Sequence, residues 1–397
     1  MEIVSGTSIK KIFLDNENWY NFYSSHKGNF RPAIIDNVLK MLSCGTRLMG
    51  YTKYICPDHR DHYLVVKHSC KSRFCSSCGK KATDMWIANN SEKLPDTVWQ
   101  HITFTLPDKY WPIFWLNRNL MKLVPAIAAN IIKELAHKKE VDIGIFLAVH
   151  TFGRDLKKNY HIHLSTTLCG MSYDKKVIKN LYFHHSVIKK KWKYSVTELL
   201  RSHYKTGDLK LPKSWNIKEL RDLNFVLNKN YLKKWVVHLN KSSNEHKRNI
   251  EYFGKYLKRP PIGETRIKSY DGRNVVFYYL DHSVKMIKLI KMSVIEFIKR
   301  LICHIPDKYF RSIRYYGILS SRRIGSDLTI FKSLLADNNI EGEKKEKITF
   351  RSMFMKAFGK DPMECSICKR EMVQCWKYYT NKTFLRSIHA RLAQGLL

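Results

Sequence analysis

Residues 160–164 read Tyr-His-Ile-His-Leu, two histidines separated by one apolar residue. In an extended strand such residues share a face and stand ~6–7 Å apart, a workable bite for one metal ion, although histidines also alternate on strands for ordinary packing. The context favours the metal. His150 ends the preceding apolar run, and the stretch 152–159, with Gly153 and Asp155, has turn character. A hairpin centred near Asp155 and Leu156 sets His150 across from His161 on the same face. Three converging imidazoles leave coordination positions open, as catalytic rather than structural metal sites do. For work on a phosphodiester the expected ion is Mg²⁺ or Mn²⁺, the latter better suited to nitrogen ligands.

A second candidate lies downstream. Tyr252 and Tyr256 stand at i and i+4, one face of a helix expected over residues 250–259, among Lys255, Lys258 and Arg259. A phenolate attacks phosphorus readily, and the resulting phosphotyrosine keeps the energy of the broken linkage for rejoining. No nucleotide cofactor is then needed, and the chain has no G-x-x-x-x-G-K-[ST] loop. Two tyrosines would allow two successive strand transfers. The plainer alternative is a pair of packing tyrosines.

Cys56-x-x-His59 and Cys75-x-x-Cys78 are two ligand pairs at the spacing of a closed, tetrahedral zinc site, to which we assign a structural role; Cys70 and His68 are close enough to compete. The neighbouring Lys71 and Arg73 suggest that this module also touches DNA. Cys365-x-x-Cys368 has only Cys375 and His389 nearby, so buried thiols and a second zinc site stay open for it.

Strand-like runs are expected at residues 101–106, 143–151 and 160–168, the last two carrying His150, His161 and His163, with helices at 34–42, 120–137 and within 216–239, and a hairpin at 265–281. The expected organisation is α+β: an N-terminal helical and zinc-binding domain over residues 1–99, a domain over 100–290 that carries the histidines and tyrosines, with a Lys- and Trp-rich helical insertion at about 171–249, and a basic DNA-binding region over 291–397. The chain of 397 residues carries 71 Lys+Arg against 34 Asp+Glu, a net charge of +37 that calls for an anionic polymer as partner. Residues 1–20 lack the apolar core of a signal peptide, and the apolar region near 111–135 is broken by Arg118, Lys122 and Lys133. The expectation is a soluble cytoplasmic protein with thiol or metal-bound cysteines and no membrane partner.

The segments CPDH, SCKSRFCSSCGKKATDMW, HITFTLPDKYW, VHTFGRDLKKNYHIHL, IEYFGKYLKRPPI and IRYYGILSSRR occur in that order. They resemble the two-tyrosine HUH transposases of the insertion sequence ninety-one family over nearly the whole chain. The resemblance implies an N-terminal zinc domain and an HUH domain with a central antiparallel sheet flanked by helices. It also implies single-strand cleavage at the ends of a mobile element, a 5′-phosphotyrosine and strand transfer into a target. By position, His161 and His163 are the paired metal ligands, His150 the third, and Tyr252 and Tyr256 the nucleophiles. Two positions depart from the pattern: His59 stands where relatives commonly have Cys, and His150 where many have Gln. A rolling-circle replication initiator or relaxase would share the cleavage chemistry, and a non-catalytic zinc-containing DNA-binding regulator would use only the charge and the cysteines.

Overall fold

The computed structural model describes residues 7–90, 94–240, 254, 260–281, 284–336 and 349–379. The N-terminal part runs α1 (Ile9–Leu14), α2 (Asn18–Ser25), α3 (Pro32–Ser43), β1 (Gly50–Ile55), β2 (Tyr63–Lys67) and α4 (Ser76–Asn90). The middle follows with β3 (Trp99–Thr105), α5 (Trp111–Leu116), α6 (Val124–His137), β4 (Val141–Asp142), β5 (Gly144–Phe152), β6 (Lys158–Thr167), β7 (Cys169–Ser172), β8 (Ile178–Asn180), α7 (His185–Lys205), α8 (Leu220–Leu232) and β9 (Val237–Leu239). Then come β10 (Ile267–Tyr270), β11 (Asn274–Asp281), β12 (Met286–Ser293), α9 (Val294–Cys303), β13 (Ile313–Gly317), α10 (Asp327–Leu335), α11 (Phe350–Phe358) and β14 (Val373–Tyr379).

A five-stranded sheet of order β13-β5-β6-β3-β9, antiparallel at every pairing, forms the centre. Its two faces differ because the strand sequences alternate. Ile145, Leu147 and Val149 of β5, Tyr160, Ile162 and Leu164 of β6, and Ile102 and Phe104 of β3 point into one large core. Helices α5, α6 and α7 cover that core with Phe114, Ile132 and Trp192. Helix α6 buries Ala128, Ile131, Ile132 and Ala136, a stripe at helical spacing, and Pro125 in its first turn presets the backbone angle there. The fold is thus α+β with a central antiparallel sheet flanked by helices.

The organisation departs from the sequence expectation in two ways. Residues 237–239 are not helical; they form the edge strand beside β3. The described parts of 291–397 do not form one region either. Strand β13 joins the central sheet, α9 packs with α1–α3 and the β10–β12 sheet in a second core, and β14 pairs with β1. Within the Lys- and Trp-rich segment, Trp192 and Trp235 are buried in the main core.

Candidate metal centres and DNA-processing site

The opposite face of the central sheet carries the histidines. Cross-strand register sets His150 opposite His161, and His163 between Ala148 on β5 and Thr103 on β3. Residues opposite one another share a face, so His150, His161 and His163 line one patch. A ligand nitrogen from each lies within 4.8 Å of the others. The ring centroids stand 5.3 Å apart for His150 and His161, 4.9 Å for His150 and His163, and 4.8 Å for His161 and His163.

The protonation pattern follows from the contacts. His161 Nδ1 lies 3.0 Å from the Asn159 carbonyl, which can only accept, so Nδ1 carries the proton and Nε2 keeps its lone pair. Desolvation pushes the His161 pKa down to about 4 and that of His163 well below its ordinary value, the neighbouring imidazoles adding to the latter. Neutral imidazoles offer lone pairs to a divalent cation, so the donor set fits one.

The sequence reading missed His101. It stands on β3 in the same row, with Nε2 3.2 Å from His163 Nδ1 and Nδ1 3.2 Å from Ser165 Oγ. Burial, with a smaller contribution from His238, lowers its pKa to about 3. The signal was present in the sequence: His101, Thr103 and Thr105 alternate with Ile102 and Phe104.

Tyr252, Tyr256, Lys255, Lys258 and Arg259 lie outside the described residues. Gly254, between the two tyrosines, is described as helical and buried. A Cβ added there would come 2.3 Å from Ile87 Cγ1, so this backbone presses on α4 with no room for a side chain. The same helix covers part of the histidine face: Trp86 and Ile87 pack with Phe146 and Ala148 of β5, and Trp86 Nε1 donates to Tyr315 Oη at 2.8 Å.

The cysteines require a correction. Cys75 and Cys78 do not join Cys56 and His59. They cluster with Cys44 and Cys70, while Cys56 and His59 gather with Cys365 and Cys368. The reason is topological. Cys75 immediately precedes α4 and Cys78 lies in its first turn, beside the end of α3, where Cys44 sits, with Cys78 Sγ 3.5 Å from both Cys44 Sγ and Cys70 Sγ. Cys56 and His59 lie on the β1–β2 connection, at the far end of a hairpin. His68 joins neither group; its Nε2 contacts Thr52 Oγ1 at 2.8 Å. Cys375 is exposed on β14, and His389 lies outside the described residues.

Lys71 is exposed, as a phosphate contact requires. Arg73 is not: its Nη2 is buried, desolvation lowers its pKa to about 10, and it lines a narrow cleft with Arg118, His304 and Asp307. The residue as a whole is half-buried, so Lys71 is the exposed cation of the pair. Among the described residues no helix is long and apolar enough to cross a membrane.

Comparison with known proteins defines the class. Residues 15–106 match the family model "Transposase zinc-binding domain", and residues 144–326 match the model "Putative transposase". The chain is a transposase, an enzyme that cuts and joins DNA, with a zinc-binding domain. It is 34% identical over 368 residues to the transposase for insertion sequence element IS801 of Pseudomonas savastanoi pv. phaseolicola, covering 92% of this chain and 88% of that protein. It is 25% identical over 342 residues to "Putative transposase y4qJ" of Sinorhizobium fredii, covering 82% and 84%. No solved structure matches the chain. The chain belongs to the IS91 family of insertion-sequence transposases.

Proposed function

We propose that this transposase is a metal-dependent, single-strand DNA endonuclease and strand transferase of the HUH type. The observation that carries the reading is the convergence of three imidazoles on one sheet face, with the outer nitrogen of His161 satisfied by backbone. His150, His161 and His163 would hold Mg²⁺ or Mn²⁺. When bound, the ion supplies Lewis-acid polarisation of the scissile phosphate. His101 acts as a positioning residue: a proton on His163 Nδ1 donated to His101 Nε2, with His101 Nδ1–H donated to Ser165, leaves the His163 Nε2 lone pair to serve as the ligand.

Tyr252 or Tyr256 supplies the nucleophile. Its phenolate oxygen forms a bond to phosphorus as the bond to the 3′-oxygen breaks, giving a 5′-phosphotyrosine and a free 3′-hydroxyl. A 3′-hydroxyl of the target then attacks phosphorus and releases the tyrosine, which is the transfer. The close fit of Gly254 against α4, the helix lying over Phe146 and Ala148, supports a tyrosine segment close to the histidines. Lys71, exposed beside the cysteines, together with Lys255, Lys258 and Arg259 of the basic tyrosine segment, would hold the DNA backbone at the element ends and in the target.

Incubation with single-stranded DNA carrying an element end and Mn²⁺ should give a covalent adduct, and peptide mapping should find DNA on the segment containing residues 252 and 256. An adduct that survives in the Tyr252→Phe/Tyr256→Phe variant refutes this assignment.

A further inference from the structure

We propose that Cys56, His59, Cys365 and Cys368 hold a second structural zinc ion, which clasps the C-terminal part of the chain onto the zinc-binding domain. The family match to that domain ends at residue 106 and the other at 326, so neither reaches Cys365 or Cys368.

The geometry is that of a metal site rather than of packed thiols. The four donor atoms lie within 4.8 Å of one another. Cys56 Sγ stands 3.4 Å from Cys368 Sγ and 3.6 Å from His59 Nδ1. These separations are too long for a disulfide, at about 2.05 Å. They are near the edge of a tetrahedron built on zinc–sulfur bonds of about 2.3 Å. Both loops are folded to aim their donors inward. Lys369 N–H donates to the Cys365 carbonyl at 3.0 Å and Cys365 N–H to the Arg370 carbonyl at 2.8 Å, with Lys369 held at φ 64°. Opposite, Cys56 N–H donates to the His62 carbonyl at 3.1 Å and His62 N–H to the His59 carbonyl at 2.8 Å. His62 Nδ1 is 3.1 Å from Cys365 Sγ, where an N–H donor supports a thiolate. Three thiolates and one imidazole select zinc.

The surroundings show why a clasp is needed. All seven residues of β14 are exposed, so its pairing with β1 gains almost nothing from side-chain burial. The apolar nest between the loops has just Cys56, Cys365 and Met372 buried, with Tyr54, Leu64 and Cys368 against it. The Arg370–Asp58 ion pair is exposed. A strand and two loops with so little core are ordinarily held by metal or disulfide. Cys56 and Cys365 come from opposite ends of the sequence, so the ion would close the chain on itself.

Nothing here depends on the cleavage mechanism. The test is zinc content of the full-length chain, purified over a chelating resin in a His161→Ala/His163→Ala background so that the sheet histidines contribute none. Two zinc ions per chain are expected, falling to one in Cys365→Ser/Cys368→Ser, with faster proteolytic release of a C-terminal fragment. A parent with one zinc, or a double-serine variant retaining two, overturns the proposal. His59→Cys covers the possibility of misfolding: it should keep two zinc ions while X-ray absorption changes from mixed sulfur and nitrogen to sulfur alone. An unchanged nitrogen share in that variant also overturns it.

Discussion

His161 and His163 were legible because strand periodicity is two: once the apolar residues 160, 162 and 164 claim the core, the histidines must face the other way. Replacing His161 by Ala should abolish adduct formation while leaving DNA binding within about threefold, since phosphate contacts rather than the metal dominate affinity; lost binding in a gel-shift assay would point to a structural role. For His101, which touches a ligand and not the metal, His101→Ala should weaken Mn²⁺ affinity by about 10–100-fold, the usual cost of removing a ligand's outer partner, with substrate affinity unchanged. Calorimetric Mn²⁺ titration reads this directly, and His101→Gln should recover part of it. The same burial sets a pH dependence. His101 and His161 titrate near 3 and 4 in the folded chain against 6.5 unfolded, so below pH 6.5 the unfolded state takes up protons that the native state refuses. Stability should therefore be fully present above pH 6.5 and fall as the pH drops towards 4, by up to about 1.4 kcal/mol per pH unit for each histidine. Urea midpoints of metal-free protein measure the slope, and His101→Gln should make it shallower.

At the scale of elements, the hairpin was predictable and its partners were not. The turn chemistry of 152–159 and the alternation on either side set the β5–β6 register, with His150 facing His161 as expected from the sequence. Strand β9 has three residues and follows helix α8 after a four-residue link, Lys233 to Val236, in which Trp235 and Val236 are apolar. Nothing local distinguishes it from more helix; its hydrogen bonds to β3 decide its state. The contact between Gly254 and α4 was equally invisible, because it joins elements far apart in sequence. It yields a test of element packing. A methyl group on residue 254 collides with Ile87, an overpacking that costs about 1–3 kcal/mol unless α4 yields. Gly254→Ala should cut cleavage at least tenfold, and adding Ile87→Ala should restore most of it by vacating the space. A double variant no better than Gly254→Ala alone would place the defect in the helix itself.

For the whole molecule, ligand types were readable but their grouping was not. Short Cys-x-x-Cys and Cys-x-x-His pairs mark ligands locally, yet which pair meets which depends on chain topology, and Cys44, a lone cysteine at the end of α3, carries no spacing signal at all. Charge is the opposite case, legible without a fold. An excess of +37 survives any arrangement of the elements, and a polyanion releases counterions when it meets such a surface. If six to ten phosphates are contacted, affinity for a single-stranded element end should fall about 10²·⁵–10⁴-fold between 50 and 200 mM salt, less than the roughly 10³–10⁵-fold expected for a duplex. Because this attraction is separate from the chemistry, Tyr252→Phe/Tyr256→Phe should show the same slope of log affinity against log salt as the parent. Lys71→Ala, which removes one exposed cation, should reduce the slope by about 1. Arg73→Ala should leave the slope nearly unchanged and lower the melting temperature instead, since its Nη2 is buried and the side chain lines the cleft. Fluorescence anisotropy across a salt series separates these outcomes: a flat response in the parent would remove the backbone-contact argument, and a shallower slope on losing Arg73 would return that residue to the DNA interface.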